Sequence, residues 1–125
     1  MDGVIEIDKG FVVDVNKALT GAGHRIIKPY QLESVFSSYY YYEDKPSQIA
    51  SIVNSIIKNH PFGDGNKRTA FVVLTSLCRR NSVEYLDDED ELFEAIHHVA
   101  NNKLEIEEVV EVLQLKEKRN DKNRS

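Results

Sequence analysis

His60, Asp64, Lys67 and Arg68 fall within nine consecutive residues of the stretch HPFGDGNKRTA, positions 60–70. An imidazole titrates near neutral pH, so His60 is suited to take a proton from a hydroxyl nucleophile. Gly63 and Gly65 permit positive φ, which lets successive backbone N–H groups turn into one concavity that binds anions. A helix opening at Asn66, with Asn66 as its cap, would add its own free N–H groups and the positive end of its dipole. Lys67 and Arg68 then sit where the dipole disfavours cations, by about 0.3–1 kcal/mol each at an exposed surface. Two cations there are sensible if an anion lies between them and the N–H groups, with Arg68 as a bidentate clamp and Lys67 as a point charge. Asp64 would repel such an anion unless a divalent cation bridged them, and Mg²⁺ needs only one or two protein carboxylates. The set amounts to the parts of a phosphate-transfer site.

Each residue alone has a plainer reading. His60 could close the preceding helix through its dipole, Asp64-Gly65 is a common turn, and Lys67 and Arg68 could be solvated charges. Their coincidence carries the argument. A His60/Asp64 metal pair on one helix turn is excluded by Pro61, Gly63 and Gly65, and no GxxxxGK[ST] loop is present.

The surrounding periodicity is helical. Asp8 is a good cap for a helix carrying Phe11, Val12, Val15, Ala18 and Leu19, closed by Gly21. Pro29 opens a second helix with Leu32, Val35 and Phe36 inward. Ile49, Ile52, Val53, Ile56 and Ile57 mark a third, starting at Pro46 or Ser47 and stopped by Pro61. Another runs from Asn66 to Arg80 with Ala70, Phe71, Val73, Leu74, Leu77 and Cys78 on its apolar face. Residues 83–86 (VEYL) suggest a short strand. Leu92, Phe93, Ile96 and Val99 mark one further helix, opened by the acidic run 87–91, and Ile106, Val109, Val110 and Leu113 the last. Four consecutive tyrosines, Tyr39–Tyr42, favour extended structure. The fold class is therefore all-α with a minor extended element. One domain is expected over 1–115, followed by a polar, flexible tail over 116–125.

Composition narrows the function classes. The chain has 125 residues and is 41% hydrophobic and 30% charged. That is the size and make-up of one globular domain. No apolar run approaches membrane-spanning length, and the acidic N-terminus is unlike a signal peptide. The single cysteine, Cys78, forms no internal disulfide, which points to the cytoplasm. A net charge of −5 argues against direct nucleic-acid binding. Cys78 reads as a core residue. His97 and His98 are adjacent, so they face different sides of a helix and make a poor metal pair.

The stretch from His60 to Thr69 resembles the signature of the Fic/Doc (Fido) family, HxFx[D/E]GN[G/K]R. The resemblance implies an all-α Fido fold using ATP and Mg²⁺. It implies His60 as general base, Phe62 as the buried anchor of the loop, and Asp64 as the metal ligand. Gly63, Gly65 and Asn66 would cradle phosphate, with Lys67 and Arg68 binding it. It also places a flap that docks a target segment by strand addition near Tyr39–Tyr42, although those rings read equally well as core or edge aromatics.

Two differences separate the chain from AMP-transferring members, which usually carry Gly in place of Lys67 and a second Arg in place of Phe71. NKRTA is similar instead to Doc, the death-on-curing toxin of the family, which transfers the γ-phosphate of ATP to elongation factor Tu. The chain contains no inhibitory [S/T]xxxE[G/N] motif, so the resemblance implies inhibition in trans by a Phd-type antitoxin. The expectation is a cytoplasmic, Doc-like protein kinase acting on a Ser or Thr hydroxyl. Its alternatives are protein AMPylation and a catalytically silent module that binds an antitoxin.

Overall fold

Ile49, Ala50, Ile52, Val53, Ile56 and Ile57 are all fully buried, so the helix that carries them has almost no solvent face. In a computed structural model, which describes residues 4–118, this helix is the axis of the molecule. The elements run α1 Lys9–Thr20, α2 Pro29–Val35, α3 Lys45–Asn59, α4 Asn66–Arg80, β1 Val83–Glu84, α5 Glu89–Asn101, α6 Ile106–Leu113 and β2 Lys116–Glu117. Helix α3 packs against α2, α4, α5 and α6, and α1 packs on α4. Each large aliphatic side chain withdrawn from water in this way contributes about 1.5–3 kcal/mol. The all-α expectation holds, and the helices follow the apolar periodicity closely.

The helix ends have local causes. Asp8 caps α1 by accepting from the Gly10 N–H, and Gly21, at φ 58°, closes it. Asp44 caps α3 by accepting from the Ser47 N–H at 2.8 Å, so that helix starts one residue before Pro46. Asp88 caps α5, whose first turn carries Glu89, Asp90 and Glu91, the charge sign a helix N-terminus favours.

Two expectations are corrected. Tyr39–Tyr41 form a 3₁₀ turn rather than a strand. The buried Gln48 side chain donates to the Tyr42 carbonyl at 2.9 Å and accepts from the Ile5 N–H at 2.8 Å. That tie holds the turn against the start of α3, and tertiary hydrogen bonding overrides the β preference of tyrosine. The polar segment does not fray at residue 116 either. Lys116 and Glu117 pair antiparallel with Glu84 and Val83, and the Lys118 N–H donates to the Ser82 carbonyl at 2.9 Å. The rest of the expected tail, 119–125, lies outside the described residues.

Candidate active site

Pro61 stops α3, because its ring cannot continue a helix. The last residue before it, His60, takes a left-handed conformation at φ 46° and ψ 59°. Its side chain is left exposed at the mouth of the loop. The loop leans on an extended segment, Arg25–Lys28. The Ile27 N–H donates to the Pro61 carbonyl at 2.9 Å, the Gly63 N–H donates to the Arg25 carbonyl at 2.9 Å, and Ile26 and Phe62 form an isolated antiparallel bridge. The Phe62 ring is only 1% exposed and lies against His24, ring centroids 5.8 Å apart.

Asn66 departs from its expected role. Gly65 is the N-cap of α4, at φ 74°, and Asn66 is the first helical residue. The Asn66 side chain reaches back instead, accepting from the Phe62 N–H at 3.0 Å and donating to the Phe62 carbonyl at 2.9 Å. A residue that could have capped the helix is spent on closing the loop. With no side chain on Gly65 to cap it, the first turn of α4 keeps N–H groups free for a ligand. Of the two glycines only Gly65 has positive φ. A Cβ there would lie 2.9 Å from Thr20 Cγ2, whereas one at Gly63 would meet only ordinary contacts, the nearest at 3.5 Å from Arg25 Nε.

A cleft of about 320 Å³ lies over this helix end. His60, Gly63, Asp64, Gly65, Asn66, Lys67 and Arg68 line one side of it, and Phe93 and His97 from α5 line the rest. The structure thus brings the expected loop residues to one cavity, while Phe62 lies buried beneath it. Arg68 Nη2 lies 3.9 Å from Asp64 Oδ2, with both side chains at least half exposed. Such a pair adds little stability and leaves both groups available. The Tyr39–Tyr42 turn is remote. It adjoins the start of α3 while His60 follows its end, so the full 15-residue length of that helix separates the two. The segment beside the loop is Arg25–Lys28.

Sequence reasoning missed Asn16. This fully buried side chain of α1 donates through Nδ2 to the Asp64 carbonyl at 2.9 Å and to Thr69 Oγ1 at 3.1 Å. Asn16 Oδ1 also lies 2.7 Å from His24 Nδ1. With both amide hydrogens directed to Asp64 and Thr69, Oδ1 is the acceptor of that bond, which puts a hydrogen on His24 Nδ1. The signal of Asn16 is visible in retrospect: it is four residues from Val12, a polar group on the inward stripe of α1. His97 was also missed, because its spacing was judged against His98 rather than against Phe93.

The donor set suits one kind of metal. No group of three or more His, Cys, Asp or Glu side chains able to hold a metal exists among the described residues. Asp64 offers a single, mostly exposed carboxylate, whose Oδ1 already accepts from the Gly65 N–H at 2.8 Å. That fits Mg²⁺, which keeps most of its waters and shares phosphate oxygens, rather than an all-protein cage. Cys78 is no nucleophile: burial in the core pushes its thiol up to about 12.

An uncapped, cation-bearing helix end facing a histidine and a carboxylate has the form of an anion-binding site. The Fic/DOC family profile matches residues 4–78, more than half of the chain and all of this loop, and the chain belongs to that family. Fido domains of this family modify proteins, in general by transferring nucleotide-derived groups to them, typically from ATP with a metal. No curated protein and no solved structure matches the chain. No helix among the described residues is long and apolar enough to cross a membrane.

Proposed function

We propose that the protein is a Doc-like toxin that transfers the γ-phosphate of ATP to a Ser or Thr hydroxyl of a protein target, with elongation factor Tu as the expected target. The observation that carries this reading is the contrast between two helix ends. Helix α5 has an aspartate cap and three acids in its first turn, while α4 has no side-chain cap and opens with Lys67 and Arg68. The α4 end is built for an external anion.

His60 removes the hydroxyl proton as the substrate oxygen attacks the γ-phosphorus. A new oxygen–phosphorus bond forms, the bond from the γ-phosphorus to the bridging oxygen breaks, and ADP leaves with that oxygen. Arg68, Lys67 and the N–H groups of the first turn of α4 hold the phosphate oxygens as charge redistributes. Asp64 would hold Mg²⁺, which neutralises phosphate charge when bound. Phe71 supports phosphoryl over AMP transfer. It stands where AMP-transferring relatives usually have a second Arg, and it supplies no charge, its ring being stacked on Phe93 at 4.3 Å. The lack of an inhibitory motif supports control by a separate antitoxin of the Phd type in the cytoplasm.

The test is to incubate the protein and elongation factor Tu with Mg²⁺ and ATP labelled at either the α or the γ position. Label should enter the target only from the γ position, and His60→Ala should abolish it. Incorporation from the α position would replace phosphoryl transfer by AMPylation. No incorporation from either, with growth inhibition in cells unchanged by His60→Ala, would leave an antitoxin-binding module without catalysis.

A further inference from the structure

The loop accounts for the phosphates and for little else. Backbone N–H groups, Lys67 and Arg68 recognise oxygen anions but cannot distinguish a nucleotide from inorganic polyphosphate. The opposite wall of the cleft is different in kind. Phe93 and His97 both line the cavity. They are four residues apart on α5, which puts both on one helix face. They lie outside the residues matched by the family, 4–78.

Phe93 is half-buried and stacked on Phe71 at an interplanar angle of 12°, so its ring is held in place from behind. His97 is exposed, and no hydrogen bond to the protein occupies its imidazole among the described residues. Its neighbour His98 lies instead against Asn102, whose Nδ2 is 3.3 Å from His98 Nδ1 and donates to the His98 carbonyl. A fixed apolar ring beside a free imidazole, which in its neutral form both donates and accepts, is the chemistry that receives a heterocycle. At about 320 Å³ the cleft is of the size that holds a small ligand.

We propose that Phe93 and His97 form a nucleoside subsite, with the base against Phe93 and His97 hydrogen-bonded to the base edge. The proposal rests on the phosphate-transfer reading and assigns the donor's base to α5. Its probes are Mg²⁺-ATP and inorganic tripolyphosphate, which share the phosphate chain and differ in the nucleoside.

By calorimetric titration, His97→Ala should weaken ATP about five- to tenfold, the size of one lost hydrogen bond, and leave tripolyphosphate unchanged. His97→Gln, which keeps a donor and an acceptor, should restore most of the ATP affinity, and His98→Ala should alter neither ligand. His97 is exposed, so these variants should unfold at the wild-type denaturant midpoint. Equal weakening of both ligands by His97→Ala would overturn the subsite and make His97 a phosphate contact. An unchanged ATP affinity, or wild-type protein binding tripolyphosphate as tightly as ATP, would overturn it while leaving the phosphate site standing. If the wild type bound neither, the phosphate-transfer reading itself would fall and the subsite with it.

Discussion

His60 occupies a conformation that its side chain disfavours, at φ 46° and ψ 59°. A non-glycine residue there is strained by about 1–2 kcal/mol, and the following Pro61 restricts it further. A glycine at that point would end α3 with less strain, so holding a histidine there favours the side chain's position over local stability. The loop has no second residue of this kind: its other left-handed position, Gly65, carries no side chain. His60→Gly should therefore be at least as stable as the wild type, by up to about 1 kcal/mol in urea unfolding, because relief of strain exceeds the added freedom of the unfolded chain. If His60 is the general base of the proposed phosphate transfer, that rate should fall by about 10²–10⁴. His60→Ala should lose the same activity but unfold at lower urea than His60→Gly, because alanine keeps the strain. If the two were equally stable, the left-handed residue would carry no strain worth relieving.

At the scale of elements, the loop is held by a clamp from α1. Asn16 joins the Asp64 carbonyl, the Thr69 hydroxyl and His24 in one buried group, so the position of the Asp64 carboxylate depends on a helix 48 residues earlier in the chain. Asn16→Ala should cost about 2–3 kcal/mol in urea unfolding, because it strands buried partners. It should also raise the Mg²⁺ concentration needed for half-maximal transfer. Thr69→Val removes one partner and leaves the Asp64 contact intact. It should cost about 1 kcal/mol and leave the Mg²⁺ requirement unchanged, and a shift as large as that of Asn16→Ala would show that the clamp acts only through stability. This contact also marks the limit of what the chain discloses as text. Helices α3, α4 and α5 were legible because their apolar residues recur at helical spacing and Pro61 stops α3. The loop was legible because its residue types are too costly for an ordinary turn. Asn16 was not, because its function lies in a partner distant in sequence, and its own helix shows it only as one polar residue on an apolar stripe. Tyr39–Tyr42 misled for the same reason: intrinsic β preference is a weak term, and the hydrogen bond from Gln48 to Tyr42 decides the turn.

For the molecule as a whole, the question is where the folded unit ends. Apolar periodicity stops after Leu113, which places the natural limit near residue 115, yet the chain continues into β2 and returns to the segment that links α4 to α5. That segment sets how α5 leaves α4. The Leu86 N–H donates to the Leu113 carbonyl at 3.0 Å, so the end of α6 and the start of α5 are tied at the same point. Because α5 carries Phe93 and His97, the short sheet bears on the far wall of the cleft although none of its own residues lines the cleft. A chain ended after Leu115 loses the pairing of Lys116 and Glu117 with β1 and the bond from Lys118 to Ser82. For those bonds a loss of about 1–3 kcal/mol is reasonable. The shortened chain should melt several degrees below a chain ended after Lys118. The loss should fall unevenly, since local opening follows the elements released. In hydrogen exchange, amides of α5 should lose protection while those of α3, buried against four helices, keep theirs. ATP affinity should fall with the α5 wall, and tripolyphosphate affinity, which depends on the α4 end alone, should not. Equal melting of the two chains would place the boundary at residue 115 after all. Uniform loss of protection would mean that the sheet supports the whole core rather than one wall of the site.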